Sequence, residues 1–174
     1  LRGRADWRAG DLILTASGFA LRARADYDGL DPLTFTRADT ADESRNRLQA
    51  GRLGMNWRPA GWDLGLSASR LTSSNRNLLG RTEQNRTGGR RDALGAQLSR
   101  SFLAGGLFHR LTGAAEWTGE RFTASDIVYG GFTDQRRRRD QSALVGEWRG
   151  SRGDNVLSLA VRHDAALDFL ALGA

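Results

Sequence analysis

After Trp62 every second residue is apolar: Trp62, Leu64, Leu66 and Ala68, with Asp63, Gly65, Ser67 and Ser69 between them. A period of two places such residues on one face of an extended strand. The pattern recurs along the chain. From Leu12 to Tyr27 one phase holds Ile13, Phe19, Leu21, Ala23, Ala25 and Tyr27, and the other ends in Arg22, Arg24 and Asp26. Leu53, Met55 and Trp57 oppose Arg52, Gly54 and Asn56. Leu94, Ala96, Leu98 and Phe102 oppose Gly95, Gln97, Ser99 and Ser101. Leu111, Ala115 and Trp117 oppose Arg110, Thr112, Glu116, Thr118 and Glu120. Leu144 and Trp148 oppose Glu147 and Arg149, and Leu157, Leu159 and Val161 oppose Ser158, Ala160, Arg162 and Asp164. With Leu1–Trp7, these segments predict an all-β fold, an antiparallel meander of about eight long strands.

Short glycine-containing turns fall at Arg8–Asp11, Pro59–Gly61, Ala104–Gly106 and Gly150–Asp154, the spacing of hairpins. At the other strand ends lie three polar stretches, Asp28–Ser44, Thr72–Arg90 and Thr123–Arg139, read as long loops. Short turns at one end and long loops at the other match the asymmetry of outer-membrane barrels. No stretch approaches the roughly 18 to 20 apolar residues of a membrane helix. The chain has 174 residues, no Cys, and 26 Arg as its only basic residues besides His, for a net charge of +6. Disulfides and thiolate metal sites are therefore excluded. It opens on Leu1-Arg2-Gly3-Arg4, without an apolar signal segment, and is expected to be a mature form or a slice of something longer.

The aromatic residues separate a membrane barrel from a soluble sheet. Trp7, Trp57, Trp62 and Trp148 lie beside short turns, Phe102 and Phe108 flank another, and Trp117 stands apart. Trp7, Trp57, Trp62, Phe102 and Trp148 are read as an interfacial girdle, with rings among headgroups. Arg22, Arg24, Asp26, Asn56, Ser67, Ser69, Arg110, Thr112, Glu116, Glu120, Glu147, Arg162 and Asp164 are read as lumen-facing, available to a plug or ligand. Arg100 falls in the lipid-facing phase near a turn, where its head can snorkel. Open sheets leave N–H and C=O groups unsatisfied in lipid, so the strands are expected to close into a barrel, here or with further strands.

Three stretches resemble the barrel of TonB-dependent outer-membrane receptors of the cobalamin and siderophore class. "GRLGMNWRPAGWDLGLSASRL" (Gly51–Leu71) is similar to a "G…W.P…W.L..S….L" hairpin of that family. "GDLILTASGFALRARADYD" (Gly10–Asp28) resembles an early barrel strand entering a variable loop, and "NVLSLAVRHDAALDF" (Asn155–Phe169) an "L.…RHD….F" strand. Family members often continue with Phe-Gly there, where this chain has Leu170. The resemblance implies an open, curved slice of a barrel of ~22 strands. Residues 1–174 would then be a partial receptor barrel domain, with the plug and remaining strands absent. It further implies uptake of a scarce ligand such as a siderophore or cobalamin, no catalysis and no cofactor. The implied partners are outer-membrane lipid and lipopolysaccharide, the TonB complex acting through the missing plug, and a small-molecule ligand. The implied location is the outer membrane of a Gram-negative cell.

No nucleotide-binding, esterase or zinc-protease motif is present. His109 and His163 fall in lipid-facing phases of separate strands, with no ligand-spaced partner. Arg136, Arg137, Arg138 and Arg139 end the third polar stretch, where guanidinium forks suit lipopolysaccharide phosphates; solvated loop charge is the plainer reading. A nucleic-acid role has charge alone behind it, without interleaved aromatics. Asp28, Asp31, Asp39, Asp42 and Glu43 match no defined calcium spacing and are read as loop acidity, although the resemblance implies calcium in outer loops. The Arg152–Asp154 tripeptide reads as a polar turn. Two other functions stay open: a complete eight-stranded barrel with a structural or adhesion role, and a soluble basic β-domain that binds nucleic acid.

Overall fold

The computed structural model describes residues 1–172 except positions 32, 129 and 133, with side chains described through Asp168. The end of the final sequence motif, from Phe169, therefore lies outside the described side chains. Eight strands follow in order: β1 (Arg2–Ala9), β2 (Leu12–Leu30), β3 (Arg37–Trp57), β4 (Trp62–Leu79), β5 (Thr82–Ala104), β6 (Leu107–Asp126), β7 (Gln135–Arg152) and β8 (Asn155–Leu172). Each pairs antiparallel with the next, giving one meander sheet in sequence order. Among the described residues β1 and β8 do not pair, so the sheet is not closed. The complete eight-stranded barrel lacks the ladder that would close it.

The short turns form where expected. Gly105 and Gly106 both hold positive φ, 58° and 72°, as a type I′ hairpin turn requires of both central residues. The three long loops are corrected. β2 and β3 pair up to Leu30 and Arg37, and the third loop begins only after Asp126. The second closes in a two-residue turn at Gly80 and Arg81. These segments carry polar residues on both faces, so they show no alternation, yet the backbone ladder continues through them. Polar side chains add cross-strand bonds: Asn75 Nδ2 donates to Asn46 Oδ1 at 2.7 Å, and Asn77 Nδ2 to Asn85 Oδ1 at 2.8 Å.

The register is staggered. The rung through Ala9, the last residue of β1, crosses the sheet to Val161, six residues into β8. Such a drift is the shear of strands tilted about a barrel axis. The sheet has no core of its own. Leu78 and Ala143 are the buried apolar residues among those described, while Leu94, Leu159 and Val161 are 55%, 62% and 71% exposed. A soluble sandwich would cover these with a second sheet, and no second layer is described.

Candidate functional site

Because paired residues share a face, the register sorts every side chain to one of two sides. One rung runs Trp7, Leu14, Met55, Leu66, Ala96, Ala115, Leu144, His163. The rung below it runs from Ala9 through Trp57 and Leu64 to Val161, and the rung above from Ala5 through Leu53, Leu94 and Trp117 to Ala165. These three full-width rungs contain no Asp, Glu or Arg. On β5 the apolar run extends from Leu94 to Phe102, interrupted by Arg100. Eight residue steps give ~27 Å along a strand, or ~20 Å across a bilayer at ~40° tilt, near the ~25 Å band of outer-membrane barrels.

All five girdle residues, Trp7, Trp57, Trp62, Phe102 and Trp148, lie on this face. Phe108 faces the other way, since it pairs with Leu103 and Ser151. The Trp148 ring covers Gly150, toward the short turns, and its Nε1–H donates to His109 Nδ1 at 3.1 Å. That bond leaves the ring proton on His109 Nε2, which donates to the Ala104 carbonyl at 3.2 Å. His109 also stacks on Phe102, with ring centroids 5.1 Å apart. The Arg100 guanidinium sits 4.8 Å over the Trp62 ring. A cation–π contact thus carries this charge in the girdle.

Trp117, which stands apart in the sequence, closes the band at its other edge. Its ring covers Gly119 in the first rung that carries charge. Trp117 and Trp148 therefore lean away from the band's middle in opposite directions, as interfacial aromatics do. Beyond Trp117 the same face bears Arg22, Arg24, Arg45, Arg47, Arg70, Arg76, Arg86, Arg90, Arg121, Arg136 and Arg138. Most of this belt escapes sequence reasoning. The signal is a reversal of polarity along one face, which a search for uniform alternation passes over.

The opposite face gathers Asn56, Ser67, Ser69, Arg110, Thr112, Glu116, Glu120, Glu147, Arg162 and Asp164. Arg22, Arg24 and Asp26 do not join them. They share a face with Leu12 and Leu14, because all five positions are of even number in one unbroken strand. The Arg136–Arg139 run is likewise divided. Arg136 and Arg138 enter the belt; Arg137 and Arg139 point to the opposite face, where Arg139 meets Asp168 at 3.1 Å.

On that opposite face side chains bridge next-nearest strands. Arg110 reaches Asp63 and Arg162 reaches Glu116, each at 3.6 Å. Ser99, 2% exposed, shares a hydrogen bond with Thr112 at 3.0 Å. The acidic stretch has internal partners. Asp42, 2% exposed, accepts from Gly80 N–H and from the Thr40 hydroxyl, each at 2.8 Å. Glu43 pairs with Arg45 and, at 3.2 Å, with Arg24. Asp31 accepts the backbone N–H groups of Leu33 and Thr34 at 2.8 and 3.0 Å. Those of Thr34 and Leu33 hold its carboxyl below the ordinary carboxylate range. Among the described residues no group of three or more His, Asp or Glu could hold a metal.

No protein-family description matches the chain, and no curated protein matches it. Among solved structures it is similar to the ferric citrate transporter FecA in the unliganded form, with a TM-score of 0.64 at 11% identity. The match covers 96% of this chain and 29% of that one. This chain therefore has the fold of part of a β-barrel transporter and spans less than a third of that protein's length.

Proposed function

We infer that the chain forms a section of the wall of an outer-membrane uptake barrel of the TonB-dependent kind. The observation that carries this reading is the single face with three uncharged rungs, bounded on both sides by Trp and, beyond Trp117, by a belt of arginine. A face of this kind is stable against lipid and unstable in water. The likeness to part of a ferric citrate transporter supports transport as the role. The Trp face meets lipid and, at the arginine belt, lipopolysaccharide. The opposite face lines the lumen against a plug that TonB moves, and the hairpins beyond the belt capture a scarce small molecule such as a siderophore or cobalamin. The chain makes no covalent change to that ligand and needs no cofactor.

Cysteine scanning tests the reading, because the chain has no native Cys. In cells, Leu66→Cys should resist a charged thiol reagent that Ser67→Cys, on the opposite face, reacts with readily. Equal reaction of both with the charged reagent would defeat the membrane assignment. A strain lacking the protein should lose protonophore-sensitive uptake of labelled iron chelates or cobalamin; unchanged uptake of every chelate tested would remove the transport role.

A further inference from the structure

Within the belt, arginines stand directly opposite one another. Arg22 pairs in register with Arg47, Arg24 with Arg45, Arg45 with Arg76, and Arg76 with Arg86. Like charges in opposed positions destabilise a sheet unless an anion lies between them. The internal anions are taken up by some of these groups. Glu43 pairs with Arg24 and Arg45, Asp26 with Arg24, and Glu83 with Arg86. Among the described residues Arg22 and Arg47 make no ion pair with a carboxylate, and Arg76 makes no close one, interacting with Glu83 only at longer range. A cavity of about 360 Å³ lies among Arg22, Arg24, Arg45, Arg47 and Arg76, around Glu43.

Toward the band from this cavity, beyond the Ala20–Gln49 rung, β2 and β3 present small side chains on the same face. Gly18 is opposite Gly51, and Ala16 is opposite Leu53. A Cβ added at Gly51 would meet nothing within 4 Å. The track continues past Leu14 and Met55 to Leu12 and Trp57. A strip of small and apolar residues thus leads, past Gln49, from these guanidiniums into the band.

We propose that Arg22, Arg47 and Arg76 form a binding site for a phosphorylated glycolipid of the outer leaflet, phosphates in the arginine cavity and an acyl chain along the Gly18–Gly51 track. This rests on the outer-membrane reading above. It moves the main lipopolysaccharide contact from the Arg136–Arg139 run to the β2–β4 side of the belt. Guanidinium forks bind phosphate bidentately, and three that make no close ion pair can accept a diphosphorylated headgroup without breaking one.

The test uses the native polypeptide that carries this chain, extracted from outer membranes and delipidated. Binding is measured by native mass spectrometry with diphosphorylated lipid A, dephosphorylated lipid A and inorganic pyrophosphate. The wild type should retain diphosphorylated lipid A well above the other two. Arg22→Gln/Arg47→Gln/Arg76→Gln should lower that binding by about ten-fold or more, given the strength of charge-assisted pairs. The charge-matched Arg2→Gln/Arg52→Gln/Arg149→Gln, on the opposite face, should leave it unchanged. Equal loss in both variants, or none in the first, would overturn the site. Equal retention of pyrophosphate would overturn the lipid as its occupant. Absence of the polypeptide from outer membranes would instead remove the functional reading beneath it.

Discussion

At the residue scale, Trp148 and Asp31 show how single groups anchor the two ends of the wall. Trp148 lies over Gly150 and donates to His109, so its ring is fixed both by stacking over a side-chain-free position and by one neutral hydrogen bond. Trp148→Phe keeps the ring over Gly150 and deletes the donor. It should cost about 1 kcal/mol, the net worth of one such bond, read as a lowered urea midpoint of the folded native protein in detergent. An unchanged midpoint would show that the indole N–H contributes nothing beyond its contact with headgroups. At the far end, Asp31 closes the β2–β3 loop by accepting two backbone N–H groups. Its folded pKa lies below the unfolded value, so the ordering it contributes is fully present above the unfolded pKa. That ordering is lost as pH falls through the folded pKa. Limited proteolysis of the loop should therefore accelerate in acid, below the ordinary Asp range of roughly 3.9. Asp31→Asn retains an acceptor that does not titrate, and should remove the acid step while leaving the loop protected at neutral pH.

At the scale of the strand, one face carries two chemistries in sequence. On β4, Trp62, Leu64, Leu66 and Ala68 give way to Arg70 and Arg76 without any break in register. Leu66 sits in the middle of the three uncharged rungs; if that face meets lipid, as proposed, an arginine there costs ~2–4 kcal/mol. Leu66→Arg should lower unfolding free energy by that amount in a lipid-refolded sample. Ser67→Arg, one residue on, should change it far less because it joins Asp63 and Glu116 on the polar face. Equal costs would mean that neither face meets lipid. The change of chemistry along a strand also explains what the sequence could and could not reveal. Inside the uncharged band, alternation has high contrast, and the strands there, their short turns and the face shared by Trp7, Trp57, Trp62, Phe102 and Trp148 are all legible. Beyond it the Trp face turns cationic, while Leu21, Ala23, Ala25 and Tyr27 occupy the other face. Followed outward, the apolar phase of β2 changes sides. Arg22, Arg24 and Asp26 consequently read as lumen residues although they continue the face of Leu12 and Leu14. The paired polar extensions read as loops for the same reason: with Ser, Asn and Arg on both faces there is no contrast to mark a strand.

At the scale of the whole molecule, the sheet is a wall without its own interior. Among the described residues the two edges are not paired with each other, and β2 is longer than β1, so its outer half meets no described neighbour on that side beyond the contact between Leu1 and Ala20. Unpaired N–H and C=O rows template association with other strands, and the three uncharged rungs leave Leu53, Leu94, Leu144 and Val161 exposed side by side on one face, a contiguous apolar patch of the kind that marks an interaction surface. Both properties disappear together when neighbouring strands complete a barrel in a bilayer, since edge bonds are then made and the band meets lipid. The 174-residue chain expressed alone should therefore precipitate from detergent-free buffer, and in detergent should run as mixed oligomers rather than one species. On the proposed reading, co-expression with complementary barrel strands should suppress this, because tilted strands with matching shear can close around the same axis. Size-exclusion chromatography with light scattering distinguishes the cases. A monodisperse, detergent-free monomer of the isolated chain would show that the Trp face finds cover within this sheet, and the wall reading would fall with it. Polydisperse oligomers alone, resolving to a single monomeric species with the complementary strands, would show that closure of the edges is what this fold lacks by itself.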